Sequence, residues 1–144
     1  MTSNIDGLHR IENKTIKENK MIGYVTLGTN NHEAAAVFYD ALLGSIGAGR
    51  FMETDTFIAW AVSPGKPALS IIKPADGKEA CIGNGVMVAL AMDSTDKVDS
   101  FHAKALELGA TDEGAPGSRG DGGFYAGYFR DLDGNKLNAF CMVK

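Results

Sequence analysis

The chain repeats itself. Shifting the numbering by 63 lays Tyr24 on Met87, Val25 on Val88, Leu27 on Leu90 and Phe38 on Phe101. One gap then brings Gly47-Ala48 onto Gly109-Ala110. Further on, Phe57 and Ala59 match Phe124 and Ala126, and after a slightly longer turn Leu69 matches Leu137. The identities are few, but the order of patterns agrees throughout. A recurring pattern at one offset is the mark of a single supersecondary unit used more than once, each copy needing the other to bury its apolar face. Both copies read strand–helix–strand–strand–strand, over residues 21–74 and 83–143, behind a polar N-terminal extension, residues 1–20.

In the first copy, Ile22, Tyr24, Val25 and Leu27 make a strand. Asn30-Asn31-His32-Glu33 carries a helix-start signal, an Asn cap followed by an acidic first turn. Ala35, Phe38, Tyr39, Leu42 and Ile46 then recur at helical spacing, and Gly44 and Gly47 close the helix. Strands are expected at 50–53, 57–62 and 68–72, and a linker at 75–85. The second copy restarts with a strand at 86–92. Asp93 or Ser94 caps a helix lined by Val98, Phe101, Ala105 and Leu106. The glycine-rich stretch 114–123 reads as a mobile loop, with Arg119 placed to meet an anionic ligand.

The chain closes on FYAGYFRDLDGNKLNAFCM, residues 124–142. Aromatic and β-compatible residues lead into Asp131–Asn135, where Asp and Asn bond the local backbone and Gly134 accepts a positive φ. A strand rather than a helix follows, so Asp131–Gly134 reads as a hairpin turn and not a calcium loop. In the returning strand Leu137, Ala139 and Cys141 alternate with Lys136, Asn138 and Phe140, giving two distinct faces. Cys141 is thereby placed in the core, opposite Asn138.

At 144 residues one domain, or two small halves sharing a core, is expected. The net charge of −4 argues against a nucleic-acid partner. No run is long enough to cross a bilayer. Residues 1–20 show no apolar secretory segment, and Cys81 and Cys141 read as reduced thiols, so a cytoplasmic location is expected. His9, His32 and His102 have no chelating spacing with one another or with Cys.

The two strand-and-helix segments, GYVTLGTNNHEAAAVFYDALL and GNGVMVALAMDSTDKVDSFHAKAL, and the closing GFYAGYFRDLDGNKLNAF resemble the vicinal-oxygen-chelate superfamily. This group holds glyoxalase I, bleomycin-resistance proteins and extradiol dioxygenases, and the chain looks most like a glyoxalase-like branch without a named enzyme. Leu132 stands where that family usually has proline in Asp-Pro-Asp-Gly-Asn. The resemblance implies an α+β fold, two βαβββ modules forming a cup-shaped mixed sheet with helices outside. It also implies a homodimer, sometimes with modules paired across chains. In metal-using members the cup holds a divalent ion on His, Gln or Glu. The positions equivalent to those ligands are Tyr24, Ser70, Met87 and Asn138, which the resemblance makes converge.

These four are poor ligands. They offer a phenol, a hydroxyl, a thioether and an amide, none of them charged, where a divalent ion wants carboxylate, imidazole or thiolate. No metal cofactor is therefore expected. Aromatic residues from the cup strands, Tyr24, Trp60, Phe124, Tyr125 and Tyr128, suit a small-molecule pocket in which Tyr24, Ser70 and Asn138 are polar handles. The expected function is metal-independent binding of a small, partly aromatic molecule, for sequestration or resistance as in bleomycin-resistance proteins. Two alternatives stand beside it. One is a lactoylglutathione-lyase-like or dioxygenase-like metalloenzyme, and the other is a structural dimer with a vestigial pocket. Whether any reaction is catalysed is left open.

Overall fold

The computed structural model describes residues 21–144. The N-terminal extension, with His9 and the first lysines, lies outside the described residues. The first module runs β1 (Tyr24–Gly28), α1 (His32–Gly44), β2 (Gly49–Glu53), β3 (Phe57–Ala61) and β4 (Ala68–Ile72). The second runs β5 (Val88–Ala91), α2 (Thr95–Glu107), β6 (Thr111–Ser118), β7 (Phe124–Arg130) and β8 (Lys136–Met142).

Each module makes a four-stranded mixed sheet, ordered β1-β4-β3-β2 and β5-β8-β7-β6. The repeat seen in sequence is thus a repeat of topology. It holds in register too: Thr26 lies beside Ser70 across the parallel β1–β4 pair, and Ala89 beside Asn138 across β5–β8. The fold is α+β, two βαβββ modules, as expected.

The sheets are amphipathic because side chains alternate. Val25, Leu27, Ile58, Trp60, Leu69 and Ile71 face α1, and Leu137, Ala139, Cys141, Phe129 and Tyr125 face α2. The helices answer with apolar stripes. Phe38, Tyr39, Leu42 and Leu43 are buried on α1, and Val98, Phe101 and Ala105 on α2. Both helices start as their caps dictate: the Asn31 side chain accepts from Ala34 N at 3.1 Å, and Ser94 from Lys97 N at 3.2 Å. Cys81 is exposed, Cys141 buried, and neither is bonded to the other.

Two expectations need correction. Residues 86 and 87 precede the strand, which begins at Val88, because Val86 N closes a turn onto Gly83 O at 3.2 Å. More importantly, 114–118 belongs to a strand and not to a loop. β6 pairs with β7 through register shifts on either side of Gly114, with Pro116 in the second of them. Glycine and proline are tolerated in strands at such bulges, so the composition that suggested a loop marks a bulged edge strand instead. Only Arg119–Gly123 turns back, and Arg119 N donates to Phe124 O at 2.7 Å.

The modules are tied by the closing turn. Asp131 is buried, and its carboxylate accepts from Tyr39 Oη of α1 at 2.6 Å. It also accepts from the backbone of Asp133 and Asn135 and from Asn135 Nδ2. Asp133 Oδ1 accepts from Asn30 N at 2.8 Å, and Asn135 Nδ2 donates to Gly28 O at 3.0 Å. The hairpin of one module therefore holds the β1–α1 junction of the other.

Candidate functional site

The faces turned away from the helices are the candidate site. On the first sheet this face carries Tyr24 and Thr26 from β1, Ser70 from β4, and Phe57 and Ala59 from β3. Ser70 is fully buried. Its hydroxyl donates to Val25 O at 2.8 Å and so must accept from Thr26 Oγ1, also at 2.8 Å. Its one donor and one of its two lone pairs are used within the sheet, which leaves a single acceptor site for a ligand. Tyr24 is 63 % exposed, with its ring edge-on to Phe57 at 6.2 Å.

On the second sheet the same face carries Asn138, flanked by Ala89 and Tyr128, with Phe124, Phe140 and Lys136 nearby. Asn138 is 1 % exposed, and neither its Oδ1 nor its Nδ2 has a hydrogen-bond partner among the described residues. Leaving a buried amide unpaired costs roughly 1–3 kcal/mol. The Tyr128 ring is flanked by two cations, Arg119 and Lys136, each 5.4 Å from its centroid. Arg119 is folded back by donation to Ala115 O at 2.7 Å. Phe124 and Phe140 stack at 5.5 Å beside them. A cavity of about 660 Å³ opens on the β5 side of Tyr128, lined by residues 82–87 with Tyr128, Arg130 and Lys136; Asn138, Arg119, Phe124 and Phe140 are not in its wall.

Seven of the nine residues expected in the pocket lie on, or directly against, these open faces: Tyr24, Ser70, Met87, Asn138, Phe124, Tyr128 and Arg119. They form two groups, one per sheet. Met87 and Tyr128 line the cavity, whereas Tyr24 and Ser70 do not. The other two lie beneath the helices. Trp60 is 1 % exposed, packed on Tyr39 at 5.7 Å, and its Nε1 donates to Asp40 Oδ1 at 2.8 Å. Tyr125 donates to Asp99 of α2 at 2.6 Å. Strand parity separates them: Trp60 pairs with Leu69 and Tyr125 with Cys141, both core residues. Alternation within each strand carries that signal.

Residues not singled out in the sequence also shape the site. Thr26 satisfies Ser70. Lys136 enters the cavity, and its alternation with Leu137 marked the face it lies on. His102 lies on the helix side of the second sheet, with Nε2 3.1 Å from Asp112 Oδ1 and 3.0 Å from Tyr128 O. Both neighbours are acceptors, so Nε2 carries the proton, and the imidazole holds the backbone at Tyr128 from behind. The hydrogen bond from Gly114 N, with the His102 imidazole, holds the Asp112 carboxyl below its usual range. Arg130 donates to Glu113 at 2.5 Å and keeps that carboxyl low.

A second, larger cavity of about 800 Å³ lies between the end of α1 and α2, with Ser45, Val62, Lys97 and Lys104 in its wall. It includes none of the nine, and Lys97 there is paired with Asp93 at 2.9 Å. We place the site on the open face, where a buried amide is unpaired.

The four positions do not fit a divalent ion. Ser70 has its hydroxyl engaged, Tyr24 and Met87 stand in solvent, and Asn138 brings a neutral amide. Among the described residues no three His, Cys, Asp or Glu side chains are grouped to hold a metal.

The glyoxalase/bleomycin resistance protein/dioxygenase superfamily model matches residues 21–139. A glyoxalase/bleomycin resistance protein from Albidiferax ferrireducens T118 is 35% identical, covering 86% of this chain and 100% of its own, with a TM-score of 0.78. A family enzyme from Burkholderia phytofirmans PsJN has a TM-score of 0.68 at 19% identity, over 84% of this chain and 98% of its own. Lactoylglutathione lyase from Agrobacterium tumefaciens has 0.64 at 18%, over 85% and 94%. No curated protein matches the chain. With the duplicated topology and a family match over both modules, the chain belongs to the glyoxalase/bleomycin resistance protein/dioxygenase superfamily.

Proposed function

We propose that the chain binds a small, partly aromatic molecule on the open sheet faces without using a metal, in a sequestration or resistance role. The observation that carries this reading is Asn138. Among the described residues, a buried amide with both atoms unpaired sits at the position that the family resemblance makes equivalent to a metal ligand, with no acidic cluster to accompany it. Such an amide is poised to give and take one hydrogen bond with an occupant. The aromatic walls from Tyr128, Phe124 and Phe140 supply apolar contact. In this reading the chain works in the cytoplasm, where Cys81 and Cys141 stay reduced.

The site is completed by a second copy of the chain. Tyr24, Phe51, Met52, Val86 and Met142 are all more than half exposed, and among the described residues the outer edges of β1 and β5 are unpaired. Apolar faces and open edges of this kind mark association surfaces. Sedimentation equilibrium is expected to give twice the 15.2 kDa chain mass. A monomer at micromolar concentration contradicts this part of the reading.

A thermal-shift screen of small planar molecules in buffer with excess chelator tests binding. A ligand at about a hundred times its Kd adds about 2.7 kcal/mol, enough to raise Tm by several degrees. If no compound raises Tm, the pocket is vestigial.

A further inference from the structure

We infer that the occupant of the second-sheet cavity is an anion, a planar molecule bearing a carboxylate, recognised by Lys136. This rests on the pocket reading above and adds the ligand's charge. The cavity wall has two cations, Arg130 and Lys136, and no Asp or Glu. Arg130 is occupied, donating to Glu113 and to Gly134 O at 3.2 Å. Lys136 is different. Among the described residues its ammonium has no ion-pair partner and rests only against the Tyr128 ring, at 5.4 Å. Glu113 lies near enough to feel its charge, yet is committed to Arg130.

Arg119 adds a second positive charge over the same ring and, among the described residues, makes hydrogen bonds only to backbone carbonyls. Two cations on one half-buried ring leave net positive charge there, which favours an anion beside Lys136. Asn138, next to Lys136 on the same face and in register with Tyr128, lies outside the cavity's lining and adds no charge to it. Ile82, Val86 and Met87 line the cavity as apolar contact for the ligand's ring. The open face of the first sheet, with Tyr24, Thr26, Ser70, Phe57 and Ala59, contributes no competing charge.

Calorimetric titration of the full chain with benzoate and with its neutral isostere benzamide tests the inference. Benzoate is expected to bind at least about tenfold more tightly, since a charged partner strengthens the hydrogen bond. Lys136→Met is expected to abolish that preference and Arg119→Met to lower it several-fold, read in each variant as the ratio of benzoate to benzamide affinity. Circular dichroism and Tm of each variant confirm folding. Equal binding of the two probes, or a Lys136→Met loss shared by both, overturns the inference while the pocket reading stands. Binding of neither at millimolar concentration also overturns it, and the pocket is then judged by the library screen alone.

Discussion

Asn138 concentrates the account at the scale of one residue. Its neighbours Leu137 and Ala139 face α2, so it faces the other way, and there it is buried without a hydrogen-bond partner among the described residues. Function and stability are opposed at such a position. Asn138→Leu keeps the side-chain branching at somewhat greater bulk and removes the unpaired amide, so the folded state is expected to gain up to about 1–3 kcal/mol in urea denaturation while ligand binding is lost. A loss of stability instead would mean the amide has a structural partner. The position itself was legible from alternation in β8. Its unpaired state was not, because pairing depends on what Tyr128 and Ala89 bring alongside, and strand register is not written in either strand alone.

Among the elements, the β7–β8 turn changes most in meaning. In sequence, Asp131–Asn135 is turn chemistry. In the fold it is also the clasp between modules, because Asp131 accepts from Tyr39 of α1. Burial and the Asp131 carboxylate raise the Tyr39 phenol well above its usual 10.0. The neutral phenol is favoured in the folded chain, so its contribution is fully present below pH 10 and falls as pH rises towards the folded value. Tyr39→Phe is expected to cost about 1–3 kcal/mol at neutral pH, by leaving Asp131 short of a donor. It should also flatten the alkaline limb of the stability curve above pH 10. An unchanged limb would show that other groups govern it. A contact spanning 92 positions has no local signature, which is why only the turn could be read in advance. The strand β6 was missed for a different reason: Gly114, Pro116 and Gly117 carry loop composition, and only pairing with β7 makes them strand.

For the molecule as a whole, duplication was the most legible property. Matched apolar positions at one offset predict matched topology, and both sheets have the same strand order. Assignment of faces was less legible. Trp60 and Tyr125, expected in the cup, serve α1 and α2 through Asp40 and Asp99. The charge state of the pocket carries the central claim. Tyr24, Ser70, Met87 and Asn138 bring no carboxylate, imidazole or thiolate, and among the described residues no group of three His, Cys, Asp or Glu side chains stands ready to hold a divalent ion. The direct measurement is the metal content of the purified, dialysed chain by plasma mass spectrometry. The account predicts zinc, nickel, manganese and iron far below one per chain. One equivalent of any of them, lost on Asn138→Leu, contradicts it.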